Sequence, residues 1–222
     1  MASSFRLLII RAWILLGAWT SVEKLVKIAA TMPEPVRHLA TWDDLARTPD
    51  DGHVYEVLDG EIDALPRPIA AHGHAQSALS GEVHPPFDRG RGGPGGWWIL
   101  IEPDAQLERH QVVVPDVVGW RRVRLPDLAA ERPIATVPDW ICEVVSPSDP
   151  GRDRVRKADL YLRTGVPYYW ILDPGDRTLE AFEASGGRWV RLGAWTDGDT
   201  PRVAPFDAIE LDVAGFFLPQ PD

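Results

Sequence analysis

Two apolar runs dominated by β-branched residues, 112–120 (Val-Val-Val-Pro-Asp-Val-Val-Gly-Trp) and 140–146 (Trp-Ile-Cys-Glu-Val-Val-Ser), each carry a single carboxylate, Asp116 and Glu143. Such runs read as strands. A lone carboxylate in a strand loses hydration as the strand is buried, and that cost needs a partner cation or a bound metal to offset it. Two such residues on neighbouring strands are hard to explain as packing, so this pair limits both the fold and the chemistry.

After Glu143 the chain reads Ser146-Pro147-Ser148-Asp149-Pro150, where Asp149 suits a helix N-cap and Pro150 the first helical position. The helix is expected to run to about Thr164, with Gly165 as its terminator. Within it Asp153, Lys157 and Tyr161 recur every four residues and share a face, which brings Lys157 to the carboxylates if that face packs near the strand ends. Two carboxylates hold one or two hard divalent cations through oxygen, and a neighbouring lysine stabilises the charge that develops on a phosphate under attack. The same residues also read as a turn cap after Pro115, a solvated strand end and an ordinary helix-surface lysine. Spacing alone leaves both readings open.

Many short matches in order resemble the Uma-two family of candidate endonucleases, within the restriction-endonuclease-like PD-(D/E)XK superfamily. They are Pro115-Asp116-Val117, Pro138-Asp139, the 143–148 segment Glu-Val-Val-Ser-Pro-Ser, Asp153, Lys157, Tyr161, Gly165-Val166 and the 169–174 segment Tyr-Trp-Ile-Leu-Asp-Pro. Upstream, Trp42, the 55–61 segment Tyr-Glu-Val-Leu-Asp-Gly-Glu and His74 extend the resemblance over nearly all of the chain after about residue 37. It implies an α-β-β-β-α-β core, Asp116 and Glu143 as carboxylates for Mg2+ or Mn2+, and Lys157 as the superfamily lysine. That lysine ordinarily lies two residues after the glutamate, where this chain has Val145. The long flexible lysine stem makes relocation to the following helix geometrically feasible. Hydrolysis of phosphodiester bonds in DNA is therefore the leading expectation.

The 222 residues, 45% hydrophobic and with ten tryptophans, are long enough for one sizeable core. Cys142 is the one cysteine, so no internal disulfide forms; alternating with Glu143, it should face the other side of the strand and pack as a small hydrophobe. This thiol usage fits a reducing, cytoplasmic setting. A net charge of −10 argues against indiscriminate nucleic-acid binding, which draws its affinity from lysine and arginine. Basic residues nevertheless cluster at Arg121, Arg122 and Arg124, and at Arg152, Arg154, Arg156 and Lys157. Both clusters follow the carboxylates closely, and Arg152 and Arg156 are candidate phosphate contacts, although a solvated helix face is the plainer reading.

Residues 1–31 stand apart as an N-terminal extension. Residues 7–19 are apolar apart from Arg11, shorter than the roughly 20 apolar residues a membrane span requires. The 27–31 segment Lys-Ile-Ala-Ala-Thr approaches a signal-cleavage site, but Met32-Pro33-Glu34 opens what looks like an ordinary N-terminus, and an upstream start is the favoured reading. Residues 32–222 are then one domain. Thr41 or Asp43 caps a short helix through Ala46. Residues 54–58 and 61–65 form a β-hairpin about Asp59-Gly60, 72–83 is a helix, and the glycine-rich stretch 88–96 is a loop. Further strands are expected at 97–102, 105–108, 112–119, 139–145, 168–172, 178–183 and 188–191. The expected fold is α/β in layers (α+β layered), a central mixed sheet flanked by helices with the hairpin at its N-terminal side.

Glu56 is a third candidate carboxylate, serving a second metal or completing one coordination shell, against the alternative of a solvent-facing hairpin residue. His72 and His74 are two apart and point in different directions on a helix, so they form no zinc pair; His74 is a candidate contact to a phosphate or a water. Tyr161 and Trp170 are expected to pack behind the site. The expected partner is DNA, with a homodimer compatible and no membrane for the domain. Two alternatives stay open. One is a non-enzymatic nuclease-like scaffold, favoured by Val145 and the acidic surface. The other is a metal-dependent hydrolase of small phosphoesters, which a narrow closed pocket would favour.

Overall fold

The computed structural model describes residues 38–129, 131–146 and 151–220. The expected N-terminal extension, its boundary at Met32, and the Asp149-Pro150 helix start lie outside these residues. From Leu39 onward the described chain forms one unit built on two sheets.

A one-turn helix, α1 (Trp42–Leu45), begins at Thr41, whose backbone N–H donates to the Asp44 carboxylate at 2.9 Å. The hairpin β1 (Val54–Leu58) and β2 (Glu61–Leu65) has the expected bounds. Its turn places Asp59 and Gly60 in the left-handed region, φ 54° and 77°, and a Cβ on Gly60 would meet the Leu39 side chain at 2.7 Å. β4 (Ala105–Glu108) and β5 (Gln111–Val113) form a second hairpin, and the two combine as a four-stranded sheet in the order β2-β1-β5-β4.

The larger sheet has the order β10-β9-β8-β7-β6-β3, made from β3 (Trp97–Ile101), β6 (Val117–Arg121), β7 (Trp140–Val144), β8 (Tyr168–Asp173), β9 (Thr178–Ser185) and β10 (Arg188–Trp195). Only the β7–β8 pairing is parallel, so the sheet is mixed. Helix α2 (Ala70–Val83) precedes β3, and α3 (Ala158–Thr164), entered through a π-helical turn at Arg152–Lys157, carries the chain from β7 to β8. α2, β3, β6, β7, α3 and β8 therefore follow the α-β-β-β-α-β order, with β4 and β5 inserted. Gly165, at φ 88°, closes α3 in the expected left-handed cap.

One expected element divides. The run at 112–119 is not a single strand: β5 ends in the small sheet and β6 begins in the large one. Pro115 between them has no N–H to donate to a ladder, and the Val114 N–H donates instead to the Glu56 carboxylate at 2.8 Å. β10 runs four residues beyond the expected 188–191, to Trp195.

Alternation along β6 to β8 separates two cores. Trp97, Val117, Trp140, Cys142, Val144, Trp170 and Leu172 face α2, which presents Ala75, Leu79 and Val83 at four-residue spacing. Val118, Trp120, Ile141, Val145, Tyr169 and Ile171 face α3, with Leu160 and Tyr161 above them. Cys142 accordingly packs away from Glu143, and burial pushes its thiol well above the ordinary value. The α2-side core is closed by an irregular C-terminal segment that carries no sequence periodicity. Its Phe206 lies with ring centroids 4.5 Å from Phe87, 4.7 Å from Trp140, 5.0 Å from Trp97 and 5.7 Å from Trp170. Phe206→Ala is expected to cost about 3–5 kcal/mol in urea unfolding, while Val123→Ala, at a site 88% exposed, stays within about 0.5 kcal/mol. Equal midpoints for the two variants would show that this segment does not close the core.

Candidate active site

The site lies where β7 ends and β6 begins. The register Val117↔Cys142 places Asp116, just before β6, opposite Glu143 at the end of that strand pair. The Val144 N–H donates to Asp116 Oδ2 at 2.7 Å, and the Asp116 N–H to Glu143 Oε2 at 3.4 Å. Both carboxylates line a cleft of about 110 Å³, with His72, Glu102, Asp153 and Lys157 also on its wall.

Lys157 arrives from the π-helical turn, 3% exposed, with Nζ 3.1 Å from Glu143 Oε1 and 3.0 Å from Glu56 Oε1. Asp153 Oδ1 is 4.0 Å from the same ammonium. Tyr161, one turn on, donates its hydroxyl to Glu143 Oε1 and packs edge-on against Tyr169. The face expected to carry Asp153, Lys157 and Tyr161 does so. Val145, two residues after Glu143, packs in the α3-side core, and the ammonium beside Glu143 is that of Lys157.

Glu56 is fully buried and lies behind the lysine, off the cleft wall. Its Oε1 accepts from Lys157 and the Val114 N–H, and its Oε2 from Arg152. It is therefore not the solvent-facing hairpin residue of the alternative reading, and it meets the cleft through Lys157 and Arg152. Arg152 is on the cleft wall, 8% exposed and held between Glu56 and Asp63, the latter at 2.9 Å. Arg156 is half-exposed and 3.8 Å from both Asp59 and Asp63, so it faces the hairpin. Arg121, Arg122 and Arg124 are at the other end of β6, roughly 15 Å along the strand from Asp116. There Arg122 stacks on Trp98 and Arg124 pairs with Asp139. They do not rim the cleft.

α2 supplies residues that sequence reasoning passed over. His72, not His74, reaches the site: its Nε2 lies 3.2 Å from Asp116 Oδ2, while His74 is half-buried and off the cleft wall. One turn later, Gln76 donates to the Asp116 carbonyl at 3.0 Å and to Glu102 Oε1 at 2.9 Å. His72 and Gln76 thus clamp the side chain and backbone of Asp116 from one helix face. The i, i+4 spacing of two polar residues on a helix with Ala75, Leu79 and Val83 buried was the available signal. Oδ2 is held by His72 and Val144, while Asp116 Oδ1 accepts no hydrogen bond among the described residues.

The electrostatics follow from counting. Glu56, Asp116, Glu143 and Asp153 stand against Lys157 and Arg152, with His72 as a third cation when protonated. Burial pushes Glu143 well above the carboxylate range, and Asp116, Asp153 and Glu56 add to it, Lys157 opposing. Burial alone would lower Lys157, but Glu143, then Glu56 and Asp153, outweigh it and hold the ammonium charged. Burial would raise Glu56 too; Lys157 and Arg152 outweigh it and keep it low. For His72, Asp116 overcomes burial and favours the protonated ring. Burial carries Asp153 from 3.8 to about 6.

Among the described residues no three His, Cys, Asp or Glu side chains form a ready-made metal cluster. The donor chemistry still fits a hard cation. Mg2+ typically takes only one or two protein carboxylates and fills its octahedron with water and substrate oxygens, and a cleft with surplus carboxylate favours a cation.

The family model described as "Putative restriction endonuclease", Uma2, matches residues 42–214. Among solved structures, the chain is similar to the one titled "Crystal structure of a putative nuclease belonging to DUF820" from Anabaena variabilis, with a TM-score of 0.64 and 19% identity, over 80% of this chain and 97% of that one. At that identity the likeness speaks for the fold. No curated protein matches the sequence. Among the described residues no helix is long and apolar enough to cross a membrane.

The elevated Asp153 pKa has a definite sign. Folded protein holds this proton more tightly than unfolded chain, so stability is lost as pH rises from about 4 through about 6, by roughly 3 kcal/mol at most. Without divalent ions, Asp153→Asn is expected to melt several degrees above wild type at pH 7.5, with the gain gone at pH 4. A gain of equal size at both pH values would contradict this assignment.

Proposed function

We propose that this chain, which belongs to the Uma2 family, is a metal-dependent endonuclease that hydrolyses phosphodiester bonds of DNA. The observation that carries the reading is the convergence at one cleft of Asp116, Glu143 and Lys157, delivered by three separate elements. Asp116, through the oxygen left free by His72 and Val144, and Glu143 would hold Mg2+ or Mn2+. When bound, such a cation supplies Lewis-acid neutralisation of the phosphate. Glu143 is oriented by Tyr161 and Lys157, and Asp116 by the α2 clamp, so little reorganisation is needed on binding. The Lys157 ammonium, held charged by Glu143 and Glu56, offers fixed positive charge to the phosphate oxygens as a water attacks phosphorus and the ester oxygen leaves.

The small cleft and acidic surroundings also favour a second reading, hydrolysis of small phosphoesters. Diesters and monoesters separate the two.

Asp116→Ala and Glu143→Ala are expected to weaken Mn2+ binding by calorimetry and to abolish cleavage of DNA. Lys157→Ala should leave Mn2+ affinity within a few-fold of wild type while cleavage falls at least 100-fold, the scale on which a transition-state donor acts. It should also lower metal-free stability by about 3–5 kcal/mol, because buried carboxylates lose their partner. Undiminished cleavage by Lys157→Ala would remove the lysine from the mechanism. Wild-type protein that binds Mn2+, leaves DNA intact and hydrolyses a phosphomonoester would overturn the endonuclease reading in favour of the second.

A further inference from the structure

A groove of about 680 Å³ opens beside the cleft, and His72 lies on the wall of both. The two are continuous along the chain as well: Val144 and Asp153 line the cleft, while their neighbours Val145 and Arg154 line the groove. It sits at the carboxyl ends of the parallel strands β7 and β8, the place where open α/β sheets characteristically take ligands.

We propose that this groove receives the nucleobase of a nucleotide flanking the scissile phosphate in a single-stranded nucleic acid. The inference rests on the phosphodiester reading of the cleft. At about 110 Å³ the cleft accommodates a phosphate and a cation, whereas pockets for whole organic ligands run to roughly 300–1,000 Å³. The sugar and base must therefore lie outside it, and the groove is large enough for them.

Its lining distinguishes a base from a backbone. Ile69, 59% exposed, Pro174 and Ala194 offer apolar surface for a base face. Arg154 and Arg191 meet Glu180, with Arg154 also 3.0 Å from Asp173, so a base edge in the groove would meet both donors and acceptors. Two arginines against Asp173, Asp176 and Glu180 leave the groove without the positive surplus that a phosphate track needs. A base stacked inside a duplex cannot enter a lateral groove without being extruded, at a cost of a few kcal/mol. A single strand avoids that cost, which makes it the preferred substrate.

Ala194 is an exposed residue of β10 outside the catalytic cluster, and Ala194→Phe would put a ring on the groove wall where a base face would lie. The probe is an oligodeoxynucleotide carrying 2-aminopurine, titrated in EDTA so that cleavage plays no part, with bis-p-nitrophenyl phosphate hydrolysis in Mn2+ followed in parallel. Wild type should bind the single strand at least tenfold more tightly than its duplex, with a change in 2-aminopurine fluorescence. Ala194→Phe should lose at least tenfold in that affinity and lose the fluorescence change, while hydrolysing the small diester at the wild-type rate, which also reports that it folds. Equal binding of single strand and duplex, no binding of either, or unaltered single-strand binding by Ala194→Phe would overturn the proposal. Failure of wild type to hydrolyse the small diester would instead count against the cleft chemistry, leaving the groove to be decided by binding alone.

Discussion

The ammonium of Lys157 lies between two carboxylates that belong to different sheets, Glu56 on β1 and Glu143 on β7, at 3.0 and 3.1 Å. Burying this set away from water costs several kcal/mol per ion, and the attraction recovers it only if the geometry is kept and the remaining oxygens are bonded. Most of those oxygens are bonded here: Arg152 and the Val114 N–H complete Glu56, Tyr161 shares Glu143 Oε1 with the lysine, and Glu143 Oε2 has only the Asp116 N–H at 3.4 Å. A one-residue slip of β1 or β7 would turn its carboxylate to the other face and strand the lysine. The cluster therefore fixes register in both sheets and the placement of the π-helical turn, and from those the cleft takes its shape.

The same cluster is over-supplied with negative charge, which separates a structural ion pair from a site with room for a ligand. Glu143 and Asp153 both sit above their ordinary values because burial is not fully compensated. A cation entering beside Asp116 and Glu143 would relieve that imbalance, as the proposed function requires. α2 prepares the other half. Through His72 and Gln76 it fixes Asp116 before any ligand arrives, and through Ala75, Leu79 and Val83 it is anchored to the core beneath. Core packing and the hold on Asp116 are properties of one helix.

Much of this was legible in the sequence because it depends on short-range pattern. β1 and β2 have the expected limits, since Asp59-Gly60 dictates the turn and alternation dictates the strands. Asp116, Glu143 and Lys157 meet because alternation fixes the strand faces and four-residue spacing the helix face. What was not legible depends on long-range placement. Nothing local distinguishes Arg152, which burial converts into a partner of Glu56, from its more exposed neighbour Arg156. The preference for His74 over His72 could not be corrected without knowing which side of α2 faces the sheet. The division at Pro115 was signalled by the proline, but the apolar run on either side hid the change of sheet. The segment around Phe206 has no period to read, because its role is to cap a core assembled by residues more than thirty positions upstream.

The central claim is that Asp116 and Glu143 share one cation at the mouth of the cleft. A crystal soaked in Mn2+ and measured for manganese anomalous scattering tests it most directly. The account predicts one strong peak within about 2.3 Å of a carboxylate oxygen from each residue, Oδ1 in the case of Asp116, the span expected for a hard divalent ion on oxygen ligands. A fully occupied peak elsewhere, or a cleft in which Asp116 and Glu143 stay bonded only to His72, Val144, Lys157 and Tyr161 at saturating Mn2+, would contradict it.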